Sequence, residues 1–200
     1  IPGFPPVMPT FGAVIKQRSL PPNRDALFDL GVSGPLVGFL VTVVVTVVGL
    51  RLSSMVFQMP AGYVALPMPL LFDLVSWLFP PGSRGPVLLM HPVAYAGYIG
   101  MVVTVFNLVP VGQLDGGHVA FVLFGGKLRR VLSFLALVLL LFVSLPMVFV
   151  ALLISRMGHP EPLDEVSELS TKRKLFALVL VLVFVLCVVP VFSVLDLSRL

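Results

Sequence analysis

Residues 33–50 read SGPLVGFLVTVVVTVVGL. In water, so much valine and threonine would favour a strand. The run carries no charge, and it approaches the ~20 residues a helix needs to cross a bilayer. A lone strand of that length would leave its backbone groups unpaired in lipid. The stretch is therefore expected to be a membrane-spanning helix.

The rest of the chain agrees. It is 58% hydrophobic and 11% charged, with a mean hydropathy of +1.10, whereas soluble domains average about 25% charged. One soluble core cannot hide so much apolar surface, and a lipid bilayer can. The expected fold class is an all-α polytopic, multi-pass membrane protein, one membrane-embedded domain over residues 1–200. About four transmembrane helices are expected, at roughly 33–50, 93–111, 131–154 and 175–195. Segment 60–80 (PAGYVALPMPLLFDLVSWLFP) is apolar but proline-rich, and reads as interfacial or re-entrant. Residues 116–124 are too few to cross alone and should continue or bend away from the preceding span. Residues 155–174 form a polar loop between the last two spans.

The net charge of +4 comes from 13 Lys and Arg against 9 Asp and Glu. The bases sit in short clusters between apolar runs, a pattern that orients membrane proteins rather than one that binds nucleic acid. If the spans alternate, Lys16, Arg18, Arg24, Lys127, Arg129, Arg130 and Arg199 share one side. Arg51, Arg84, Arg156, Lys172, Arg173 and Lys174 share the other. The slight excess places the first side in the cytosol, and Asp115 lies near it. Cys187 is the sole cysteine, so no intrachain disulfide can form.

Residues 107–118, NLVPVGQLDGGH, interrupt this pattern. An acid at membrane depth is costly, so Asp115 is a functional candidate; the plainer reading is that it reaches the interface and caps the helix that follows. Pro110 removes a backbone donor and frees carbonyls near residues 106 and 107. Gly112, Gly116 and Gly117 allow close approach or unusual dihedrals. Broken helix at this depth is tolerated only where it is buried in protein or lines a wet cavity. Elsewhere, Gly34, Pro35 and Gly38 suit close helix packing. His118 could share a face with Asp115 as a neighbour that steadies it, and His91 before Pro92 reads as the start of a helix.

The pattern N-x-x-P-x-x-x-L-D-G-G, here Asn107, Pro110, Leu114, Asp115, Gly116 and Gly117, resembles the second signature of the site-2 proteases, which are intramembrane zinc metalloproteases. PTFGAVIKQRS (9–19), NRDALFDLGVSGPLVG (23–38), HPVAYAGYIG (91–100) and GHPEPLD (158–164) resemble the archaeal and plant-type branch in the same order. The resemblance implies a Zn2+ cofactor and a divided site. Two histidines and a glutamate base come from an H-E-x-x-H helix, and the aspartate matching Asp115 is the third ligand. The metal would activate a water for attack on a peptide bond of a transmembrane protein substrate. It also implies substrate contacts from Asn107 and Pro110. A re-entrant β-like loop near the N-terminus, with Val14 and Ile15, would pair with an unwound substrate by strand addition.

None of the three histidines begins H-E-x-x-H. No catalytic general base is therefore present in these 200 residues. The glutamate base and the two histidines are expected upstream of Ile1, and the chain is expected to be a C-terminal part of the protease that is inactive alone. The competing readings are a catalytically dead membrane scaffold and an ion-binding transporter that uses Asp115.

Overall fold

Asn23 opens the first helix because its side-chain oxygen accepts the Ala26 N–H at 2.9 Å, the favoured N-cap arrangement. The helix, α1 (Arg24–Leu52), then runs 29 residues, about 43 Å at 1.5 Å per residue. The protein is described by a computed structural model at residues 2–4, 8–10, 20–60, 62, 65–82, 85–143, 145–156, 163–164 and 167–188. Among these, α1 is the helix long and apolar enough to cross a membrane by length and composition, and it contains the expected span 33–50.

The other elements, in order, begin with β1 (Pro2–Phe4) and β2 (Met8–Thr10), ahead of α1. After α1 come β3 (Ser54–Val56), α2 (Leu70–Leu78), β4 (Val87–Leu89), α3 (Pro92–Leu108), α4 (Asp115–Val143), α5 (Leu145–Arg156) and α6 (Thr171–Cys187). Strands β1 and β2 form an antiparallel hairpin, with Pro2 opposite Thr10. Ile1, ahead of which the catalytic base is expected, lies outside the described residues, as do Val14 and Ile15 of the expected substrate-pairing loop. The chain falls into two compact units, 1–34 with 108–178 and 35–107 with 179–200.

In the second of these units, α1 and α3 pack through small residues. A Cβ on Gly49 would lie 2.3 Å from the Ala94 backbone nitrogen. One on Gly97 would meet the Thr46 hydroxyl at 2.4 Å, and one on Gly100 the Thr42 hydroxyl at 2.5 Å. Only glycine lets the helices approach so closely there. Gly38, also expected to serve helix packing, has no neighbour among the described residues within 4 Å of an added Cβ. Antiparallel β3 and β4 pair Met55 with Leu88 and close off the segment that carries α2. These three-residue strands escape a period-2 reading, which needs four or more residues. His91 does start a helix: its Nδ1 accepts the Val93 N–H at 3.2 Å, and its own N–H reaches the Ser53 hydroxyl.

In the first unit, α4 doubles back. Gly125 has φ 71° and ψ 178°, a conformation essentially restricted to glycine. Were α4 straight, Ser133 would lie about 27 Å beyond Asp115. Instead, its hydroxyl donates to the Pro110 carbonyl, just ahead of the helix start. Arg129 likewise returns to Phe121, its guanidinium 5.5 Å from the ring centre. The short piece 116–124 therefore forms the first arm of α4 up to Gly125; it does not continue α3, from which residues 109–114 separate it. The expected span 131–154 falls on the later part of α4 and on α5, either side of residue 144, which is outside the described residues. At twelve residues, α5 is about 18 Å long, short of a ~30 Å hydrocarbon core.

The polar stretch expected as a loop is docked in its described part. Leu163 and Asp164 donate to the Pro21 and Pro22 carbonyls at 2.9 and 3.2 Å, and α6 already begins at Thr171. Arg173 forks onto α1, bonding both oxygens of Asp29 at 2.7 and 2.6 Å and Asp25 at 2.6 Å. The Ser170 N–H completes the clamp on Asp25. Strict alternation of four spans puts Lys172, Arg173 and Lys174 opposite Arg24. The structure instead places Arg173 at the N-terminal end of α1, against Asp25 and Asp29.

Candidate functional site

The site grows from the end of α3. A residue before proline disfavours the helical region, so α3 stops at Leu108. Pro110 thus follows the helix end and does not break its interior, and the carbonyls near 106 and 107 lie in the last turn. Asn107 occupies that turn, half-buried. The chain then tightens: the Val111 N–H donates to Val109 at 2.7 Å and the Leu114 N–H to Val111 at 3.1 Å. Gly112 sits at φ 53°, which glycine adopts without steric cost. The Leu114 carbonyl accepts from Gly117 and His118 at 2.8 and 3.1 Å, so Asp115 is the first helical residue of α4. The Ser133 hydroxyl on the Pro110 carbonyl ties the turn down.

The glycines fit this geometry by lacking side chains. A Cβ on Gly116 would lie 2.0 Å from the Leu108 carbonyl oxygen, and one on Gly117 2.4 Å from that of Gly112. The first turn of α4 is wrapped in backbone.

Opposite it stands α1. A Cβ at residue 31 would meet the Asp115 carbonyl oxygen at 2.9 Å and the His118 Cβ at 3.0 Å. One at residue 34 would meet Asp115 Oδ2 at 3.0 Å. Gly31 and Gly34, one turn apart, cut a notch that seats the start of α4. Buried Pro35 has no N–H, which leaves the Gly31 carbonyl without its partner in the α1 ladder. Sequence reasoning misses Gly31, although a small residue three before Gly34 on an apolar helix is a readable signal. Asp25 and Asp29, four apart, are likewise a readable pair of acids on one helix face.

The Asp115 carboxylate is thus half-buried, held at a helix N-terminus whose N–H groups favour negative charge, and pressed towards Gly34. His118 is buried behind it. Among the described residues, no group of three His, Cys, Asp or Glu could hold a metal ion. A zinc site takes three protein ligands or more. These residues therefore offer one positioned carboxylate and not a metal centre.

The notch yields a test. Gly34→Val should displace the carboxylate; an error of ~1 Å at such a group can cost about 100-fold in rate. Gly38→Val, where no described residue lies within 4 Å of an added Cβ, should leave cleavage of a reporter by the complete protein unchanged. Equal activities would mean that Gly34 does not position Asp115.

The model of Peptidase family M50 matches residues 3–151. The chain belongs to this family. Among curated relatives of this M50 chain is "Probable zinc metalloprotease EGY1, chloroplastic" of Oryza sativa subsp. japonica, 35% identical over 96% of the chain and 35% of the relative. The protein of the same name from Arabidopsis thaliana is 29% identical over 96% of the chain and 38% of its own length. "DDT domain-containing protein PTM" of Arabidopsis thaliana is 32% identical over 58% of the chain and 7% of the relative. The chain thus spans little more than a third of the EGY1 relatives it matches. No solved structure matches it. The family agrees with the site-2 protease resemblance, and zinc is in the names of the EGY1 relatives.

Proposed function

We propose that this chain is part of an intramembrane zinc metalloendopeptidase that hydrolyses peptide bonds in transmembrane proteins. Asp115 supplies one metal ligand, and residues upstream of Ile1 supply the two histidines and the base. One observation carries the reading: a single half-buried carboxylate is fixed at a helix start, in a two-glycine notch, within a chain of the M50 family. When bound, zinc would activate water and polarise the peptide carbonyl. This chain contributes the position of one ligand. Asn107 and Pro110, with Val14 and Ile15, are proposed to contact the substrate backbone.

The orientation belongs to this proposal. With Arg173 beside Asp25 and Asp29 at the start of α1, the bases of 172–174 join Arg24 on the side of Asp115. The rule that counts such bases then places that side in the cytosol, in a multi-pass protein whose α4 doubles back at Gly125.

The test is metal content. The complete protein, purified in detergent, should hold about one zinc per chain and lose cleavage on chelation. A metal-free protein that still cleaves refutes the reading. One that neither binds zinc nor cleaves supports a catalytically dead scaffold, which the lack of H-E-x-x-H in these 200 residues favours as the second reading.

A further inference from the structure

Helix α2 has three faces. At 100° per residue, Leu71, Phe72 and Val75 share one side and are buried. Asp73 and Ser76 share a second, lining a recess with Met55, Met68 and Leu88. Leu70, Leu74, Trp77 and Leu78 share the third, and are 50%, 44%, 78% and 53% exposed. Four large apolar side chains on one open face need a cover.

Two observations in the same compact unit say what covers them. Val37, Leu40, Val41, Val44, Val48 and Leu52 make the outer face of α1, exposed at helical spacing along the candidate span. At the end of that span, the Arg51 guanidinium lies 5.7 Å from the centre of the Phe79 ring, directly after α2. A basic residue ending a span sits at headgroup level, so the C-terminal end of α2 sits there too. With nine residues, α2 is about 14 Å long and cannot cross. Tryptophan at such a boundary keeps its ring body apolar and its N–H wet.

We infer that the open face of α2 is a lipid-binding surface, with Trp77 seated at the headgroup–acyl boundary of the bilayer and Leu70, Leu74 and Leu78 turned to the acyl chains. The surface is independent of the metal, so it stands or falls apart from the proteolytic reading.

Trp77 is the only tryptophan of these 200 residues and reports on itself. The complete protein, with any tryptophan elsewhere replaced by phenylalanine, is reconstituted in phosphatidylcholine vesicles, and Trp77→Phe supplies the blank. Blue-shifted emission is expected, quenched more by lipids brominated near the glycerol end than by lipids brominated near the chain terminus, and little by aqueous iodide. Leu74→Ser with Leu78→Ser should raise iodide quenching while helix content stays constant. Stronger quenching by the deep bromines would place α2 in the bilayer core and overturn the inference. Quenching by iodide alone would place it in water. Quenching by neither reagent would mean that protein covers the face, whether a second copy or another partner. Each of these three results defeats the lipid-surface assignment.

Discussion

Asp115→Ala in the complete protein is expected to abolish cleavage of a transmembrane reporter and to strip zinc. Removing a mere supporting neighbour of a metal ligand commonly costs 10–100-fold in affinity or activity. Removing a ligand itself should therefore cost about 100-fold or more. The fold should survive. The side chain is only half-buried, beside Gly34, and losing an acid at a helix start costs about 0.3–1 kcal/mol. Asp115→Asn sharpens the test, because it keeps the shape that meets Gly34 while removing the charge a zinc ion would bind. Both variants should lose metal together, as read by elemental analysis of protein that still melts like the wild type. Full activity in either removes Asp115 from the chemistry.

Gly116→Ala is expected to damage the fold itself. The added Cβ would sit 2.0 Å from the Leu108 oxygen, 2.3 Å from its carbon and 2.8 Å from the Val109 oxygen. All three are backbone atoms, and no side chain can swing aside. Overpacking of this kind costs about 1–3 kcal/mol, or more where the backbone must shift. Gly38→Ala is the control: no described residue lies within 4 Å of a Cβ there, and alanine in a helix interior is favoured over glycine by roughly 0.5–1 kcal/mol. Thermal melting in detergent should separate the two, one falling and the other level or rising. Identical melts would show that α4 does not begin against the end of α3.

Much of the site could be read because its physics is local. Pro110 ends a helix wherever it stands, and a carboxylate with two glycines in an apolar chain marks a built turn. Helix α1 was equally legible, since length without charge is a one-dimensional property. The side assigned to residues 172–174 has the opposite character. It rests on ion pairs from Arg173 to Asp25 and Asp29, which lie 148 and 144 residues away in the chain, and composition hardly registers such a contact.

Apolar length, the placement of prolines and the isolation of Asp115 determined the membrane class, the existence of α1 and the residue to suspect. Only the tertiary structure decided that Gly31 and Gly34 form the seat of that carboxylate, that Arg173 returns to Asp25 and Asp29, and that α2 turns four apolar side chains outward. Those outcomes depend on which helix faces meet across long separations along the chain, and a contact between distant faces leaves no periodic trace in either of them.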